Sequence, residues 1–176
     1  MISIRSLKVS FSETPVLRGL DLEVPEGITT FIMGRSGIGK SVLLKTICAL
    51  IPADEGRIFI DREDILAAGN RDKKRIRSCI GMVLQDGALF DGMTVYENIA
   101  YPMMYNTRTE TEEKDRLLHK YAEIVGIENA LDLLPVELSG GMKRKTALAR
   151  AMITEPKYLF YDEPTTGLDP RSAGMI

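Results

Sequence analysis

This chain of 176 residues has no tryptophan, one histidine and two cysteines, and only 6% of it is aromatic. Its cysteines, Cys48 and Cys79, stand far apart in apolar surroundings. That argues against a disulfide scaffold or a cysteine metal pair and reads as two reduced core residues. The single histidine, His119, lies among charged residues and reads as a surface residue rather than a catalyst. Excess charge of one sign is also lacking: 23 Lys and Arg face 25 Asp and Glu, a net −2. Such a balance argues against broad electrostatic binding to nucleic acid. No apolar run approaches the roughly 18–20 residues that span a bilayer. The first residues, Met1-Ile2-Ser3-Ile4-Arg5, show strand-like alternation in place of a signal-peptide pattern. Internal repeats and low-complexity segments are lacking too. The remainder is an ordinary globular composition, 44% hydrophobic, with room for one domain with a core and a small inserted subdomain. The cytosol is the expected compartment.

What the sequence does have is centred on Met33-Gly34-Arg35-Ser36-Gly37-Ile38-Gly39-Lys40-Ser41. The apolar, β-branched stretch Ile28–Met33 ahead of it predicts a buried strand. Behind it, Val42, Leu43, Leu44, Ile47 and Leu50 recur at helical spacing, with a break at Pro52. Between them lies G-x-x-x-x-G-K-S, the pattern of a phosphate-cradling loop. Glycines let backbone N–H groups curl around an anion, Lys40 adds a point charge, and the Ser41 hydroxyl suits Mg²⁺. The following helix points its positive end at the same place. The alternative, a plain glycine-rich turn, is disfavoured because every fixed position falls in strand–turn–helix context.

Around this centre, Ile2, Ile4, Leu7, Val9 and Phe11 predict a first strand with a bulge near Ser6. Leu20, Leu22 and Val24 predict a half-exposed strand ending at Pro25-Glu26-Gly27. Gly56–Asp61 and Ile80–Leu84 predict two more strands, the latter ending on Gln85. The basic cluster Arg71, Lys73, Lys74, Arg75 and Arg77 reads as a solvated helix face. Residues 86 to about 135 form a predicted helical insertion, with capping boxes at Thr94/Glu97 and Thr109/Glu112. Leu117, Leu118, Tyr121, Ile124 and Val125 share one face there, and Gly126 is the stop.

Two further motifs carry chemistry. Tyr158-Leu159-Phe160-Tyr161 predicts a buried strand that delivers Asp162 and Glu163 to the sheet edge where α/β folds bind ligands. Asp162 would hold Mg²⁺ and Glu163 would polarise the attacking water as general base. Leu138-Ser139-Gly140-Gly141-Met142 opens a helix with a serine cap and bare N–H groups. Lys143, Arg144 and Lys145 crowd that turn, the wrong end of a helix for cations without an anion nearby. The plainer reading is a capped helix with a solvated basic face.

Gly34–Ser41, Gln85, Leu138–Met142, Tyr158–Glu163 and Gly167-Leu168-Asp169 together resemble an ATP-binding-cassette ATPase over essentially the whole chain. The resemblance implies an α/β P-loop NTPase with a mixed sheet, an N-terminal antiparallel β region and an inserted helical subdomain. Residues 1–85 and 136–176 would be the nucleotide-binding core and about 86–135 the insertion. It implies ATP and Mg²⁺ bound by a head-to-tail dimer. Nucleotide contacts would come from Gly34, Arg35, Ser36, Gly37, Ile38, Gly39, Lys40, Ser41 and Val42. Ser139, Gly140 and Gly141 of the second subunit would add theirs, and Phe11 would stack on adenine. Ser41, Gln85 and Asp162 would serve the metal, Glu163 and Gln85 the water, and Asp169 the dimer. The Gly-Ile-Gly-Lys-Ser loop, Met142 in place of glutamine, and Gln85–Val95 resemble MlaF-like lipid-transport ATPases. That points to a permease partner gripped near Phe90, Met93, Tyr101, Met103 and Met104, on the inner face of the cell membrane. Members of this family carry a switch histidine beyond the Asp169 loop. Its lack here, with Arg171–Ile176 starting a helix cut short, leads to the expectation of a fragment that turns over poorly. The alternatives are a small-solute importer ATPase and a regulatory or assembly ATPase without a permease.

Overall fold

The computed structural model describes residues 1–85, 87–105 and 111–163. The expected Thr109 box, the Gly167–Asp169 loop and the Arg171–Ile176 helix start lie outside the described residues. The chain divides into two compact units, Met1–Ser78 and Cys79–Ile176.

The first unit is built on strands β1 (Ile2–Phe11), β2 (Thr14–Val24), β3 (Glu55–Ile60) and β4 (Glu63–Asp64). They form one sheet in the order β2-β1-β3-β4, every neighbouring pair antiparallel. The predicted bulge is present. Both ladders of β1 slip around Ser6, which takes a left-handed φ of 46°. The extra residue resets the period-two alternation, so that Ile2, Ile4, Leu7 and Val9 are all buried. Asp21 fastens the bulge by accepting from the Ser6 N–H at 2.9 Å. Opposite it, Gly56 has φ 103°, and a Cβ there would meet Arg5 O and Leu7 Cα at 2.7 Å. Glycine is what lets β3 pass the bulge.

Helix α1 (Lys40–Ile47) buries Leu43, Thr46 and Ile47 and ends at Cys48, short of the expected Leu50. Helix α2 (Asn70–Arg77) carries the basic cluster. That cluster is not wholly a solvated face: Arg77 turns inward and donates to Cys48 O at 2.7 Å and Ala49 O at 2.6 Å. It satisfies carbonyls left over at the end of α1. Burial pushes the Cys48 thiol up to about 11, against the opposing pull of Arg77. Both cysteines are free thiols, as expected.

One strand prediction fails. Ile28–Met33 enters neither sheet, and Phe31 and Met33 are 81% and 91% exposed. The local pattern was sound for a strand, but a strand needs an edge to pair with. Among the described residues this segment pairs with no strand of either sheet, although outer edges remain open in both.

The second unit holds a parallel pair, β5 (Ile80–Val83) and β6 (Tyr158–Tyr161), with Ile80 opposite Tyr158 and Val83 opposite Tyr161. Strand β6 is only half-buried, Leu159 being 43% exposed, where a fully buried strand was expected. Helices α3 (Val95–Ala100), α4 (Thr111–Val125) and α5 (Gly140–Met152) pack around Val95, Ile99, Leu118, Tyr121, Ala122, Ala149 and Ile153. The Thr94/Glu97 capping box opens α3 as predicted, and Gly126, at φ 65°, follows α4. Ile124 points outward instead of joining its predicted face; Ala122 and Ile127 fill the core there. His119 is exposed, 3.8 Å from Asp115 across one helical turn. Among the described residues, no helix is long and apolar enough to cross a membrane.

Candidate nucleotide site

In the first unit, the glycine-rich segment runs from Gly34 into α1. Gly39 is its hinge. With φ 108° it caps the helix, and its carbonyl accepts the Leu43 N–H at 2.9 Å. A Cβ at this position would meet Val16 Cγ1 at 2.7 Å, so glycine is required both for conformation and for closeness to β2. Lys40 folds its ammonium back to donate to Gly34 O at 3.1 Å and Arg35 O at 3.2 Å. The lysine thereby ties the two ends of the loop together and centres a positive charge within the curl. Ser41 follows in the first turn of α1, where no acidic side chain opposes an anion. A left-handed glycine turn, a tethered lysine and a helix N-terminus form a donor set that fits a polyphosphate. Phe11 ends β1 half-exposed at the hairpin, and its neighbour across the turn, Thr14, begins β2. Val16 was missed from the sequence; nothing in its pattern says that its methyl group would lie against Gly39.

In the second unit, the register of β5 on β6 brings three predicted residues to one edge. Val83 faces Tyr161 at the carboxyl end of both strands, so Gln85 leaves β5 where Asp162 and Glu163 leave β6. The Asp162 N–H extends the ladder by donating to Val83 O at 3.0 Å, and its side chain is buried. Glu163 sits in the left-handed region at φ 52°, a conformation that costs a non-glycine residue of order 1–3 kcal/mol and gathers at functional sites. Burial pushes the Tyr161 phenol up, so it stays neutral beside Asp162. The oxygens of Ser41, Gln85 and Asp162 are hard donors of the kind that Mg²⁺ takes.

Ser139 caps α5 as expected, its hydroxyl accepting the Met142 N–H at 3.2 Å. Space beside Gly140 is open, with nothing within 4 Å of a Cβ there. Met142 instead packs against the helical core.

A half-hidden organiser follows Gln85. Asn98, fully buried on α3, accepts from the Phe90 N–H at 2.9 Å and donates to Phe90 O, Met93 O and Thr94 O at 3.0–3.1 Å. Its two amide hydrogens are shared among the three carbonyls, so one side chain ties together four backbone groups of the 90–94 loop. The sequence offered a faint sign of it: an amide between the apolar residues Val95 and Ile99.

The family model described as "ABC transporter" matches residues 17–166. The chain belongs to the ABC transporter family. It is 38% identical over 176 residues to the intermembrane phospholipid transport system ATP-binding protein MlaF of Haemophilus influenzae, covering 100% of this chain and 67% of that protein. It is 35% identical over 169 residues to the probable ribonucleotide transport ATP-binding protein mkl of Mycobacterium leprae, covering 96% of this chain and 49% of that one. Its fold matches a dimeric post-hydrolysis structure of the ATP-binding cassette MJ0796 bound to ADP and Pi. There the TM-score is 0.90 at 28% identity, covering 100% of this chain and 79% of that. The chain thus spans about half to two thirds of the length of these two relatives. The ABC transporter cassette has the α/β P-loop NTPase fold with an N-terminal antiparallel sheet and a helical insertion, and the solved relative holds ADP and Pi, the products of ATP hydrolysis. Identities of 38% and 35% lie too close to single out the lipid-transport group within the family.

Proposed function

We propose that this ABC cassette is the ATPase of a transporter subunit that moves a phospholipid through a membrane permease, working as a head-to-tail dimer. The observation that carries the catalytic part is the parallel register that delivers Gln85, Asp162 and Glu163 to one strand edge. Lys40 and the amides of Gly34–Val42 bind and neutralise the terminal phosphates. Glu163 takes a proton from the attacking water, and Gln85 orients that water. Ser41, Gln85 and Asp162 would hold Mg²⁺, which would supply charge neutralisation at the site. Ser139, Gly140 and Gly141 offer a hydroxyl and helix-start amides to the ATP of the second subunit, and Phe11 packs on the adenine. Little covalent chemistry is asked of the protein; positioning does most of the work.

The lipid reading rests on the match of the whole of this chain to part of the phospholipid-transport relative. A groove of about 130 Å³ lined by Tyr96, Ala100, Met103, Met104, Lys114 and Leu118 suits an apolar permease segment. Met104 is exposed there, while Met103 is mostly a core residue. The relative named for ribonucleotide transport keeps a second cargo in play. Co-purification of the full-length protein with its permease, followed by mass spectrometry of the retained small molecules, separates the two. Phospholipid enriched over a detergent control is the expected result. Retained ribonucleotide in excess of the ATP and ADP held by the cassettes, without lipid, would reverse the assignment.

A further inference from the structure

Arg150 lies on α5, on the same rigid helix whose first turn is Ser139–Gly141. Its guanidinium reaches the segment just past Gln85, donating to Gly87 O at 2.6 Å and to Ala88 O at 2.8 Å. Those carbonyls belong to an unusual piece of backbone. The Gly87 N–H donates to Leu84 O at 2.8 Å, closing a turn around Gln85. Gly87 and Ala88 then both take positive φ, 73° and 45°. For alanine that conformation is strained and persists only when the surroundings enforce it. Beside it, the Phe90 ring lies 5.8 Å from the Arg150 guanidinium carbon, and the same ring meets Tyr101 at 4.4 Å. The arginine is partly desolvated, which lowers its pKa from the ordinary value without threatening its charge. Arginine does this with a rigid planar fork whose donor directions are fixed, whereas a lysine, as at Lys40, holds carbonyls through a freely rotating ammonium on a flexible stem. Among the described residues, the partners of Arg150 are neither carbonyls of α5 nor acidic side chains, so it does not cap its own helix.

We infer that Arg150 is a positioning residue for ATP turnover, clamping the strained Gly87-Ala88 carbonyls so that Gln85 is held in register with the Ser139 end of α5. The inference rests on Gln85 acting in ATP turnover as proposed above. Without the fork, Ala88 relaxes towards negative φ and the Gln85 turn loses its fixed place, while the phosphate loop, in the other unit, keeps its own geometry.

The test is a double-mutant cycle on the full-length protein assembled with its permease, reading kcat and KM for ATP. Gln85→Ala, Arg150→Lys and the double variant are compared with the wild type. Arg150→Lys should lower kcat about tenfold with KM for ATP held within about twofold, since misplacement by an ångström or less is enough for such a loss. Because Arg150 acts through Gln85, the double variant should be no slower than Gln85→Ala alone. Losses that multiply would overturn the inference, as would a raised KM with normal kcat. Normal turnover in Arg150→Lys beside a slow Gln85→Ala sinks the arginine's role and leaves the glutamine's intact. Normal turnover in Gln85→Ala sinks both. Amide hydrogen exchange supplies a readout independent of activity. In Arg150→Lys, exchange should accelerate at residues 87–90 and stay unchanged along α5. Faster exchange throughout α5 would mean a structural role only.

Discussion

The two units carry their candidate phosphate chemistry in different materials. In Met1–Ser78 it lies mostly in the main chain: the Gly39 turn, the carbonyls that Lys40 holds, and the amides opening α1. In Cys79–Ile176 the proposed catalytic groups are side chains, Gln85, Asp162 and Glu163, carried on the ends of a parallel pair, and the same unit holds the Ser139–Gly141 helix start. In the main-chain half a Cβ has no room at Gly39, while at Gly37 there is space but a φ of 79° that strains any side chain. The side-chain half depends on particular oxygens. The lesson is that binding and turnover should break separately when each half is struck.

The largest effect is expected at Glu163. Glu163→Gln keeps the shape and removes the base, so kcat should fall by about 10²–10⁴ while ATP binding survives and trapped dimers accumulate. Steady-state hydrolysis with nucleotide-dependent gel filtration reads both, and ordinary turnover would remove Glu163 from its role. The mirror-image blow is Gly39→Val. Its added carbons would collide with Val16 and strain φ 108°. Here ATP affinity should fall at least about tenfold, a cost of the order of 1–3 kcal/mol for a strained backbone. Fluorescent-nucleotide titration checks it, and intact affinity with lost turnover would erase the contrast between the halves.

Less severe is the expected behaviour of Gly56→Val, a change in the same unit but away from the loop. The clash with Arg5 O and Leu7 Cα should lower thermal stability by several degrees. Calorimetry would reveal it, and an unchanged Tm would mean that β3 can move aside. The smallest effect concerns pH. Burial raises the folded Cys48 thiol to about 11, above the roughly 8.5 of an unfolded thiol. The unfolded chain therefore releases this proton first. The stability from keeping the thiol neutral is fully present below about pH 8.5 and lost as pH rises towards the folded value. Urea unfolding between pH 7.5 and 10 should show a decline that Cys48→Ala lessens.

What could be read from the residues alone follows the same division. Gly34–Ser41 and Asp162-Glu163 were legible because their chemistry is written at short spacing, within one turn or one strand end. The Ser6 bulge showed too, as a slip in an otherwise regular alternation. Ile28–Met33 misled because an apolar run reports a wish to be paired and says nothing of whether a partner strand is found. Arg77 and Arg150 were hidden for another reason. Their partners are backbone carbonyls far along the chain, and a carbonyl has no letter in the sequence. Ile124 was assigned to the wrong side of α4 because helical spacing alone leaves the edges of an apolar face undefined.

The bulge on the first strand has an evolutionary corollary. Ser6 is exposed and is the surplus residue in an otherwise alternating strand. Deleting its codon would leave Arg5 next to Leu7 in strict alternation, so Leu7 and Val9 would still face the core while the offset that Asp21 and Gly56 accommodate would vanish. A one-residue deletion is therefore admissible at Ser6, whereas the same deletion at Lys8 would turn Val9 towards water.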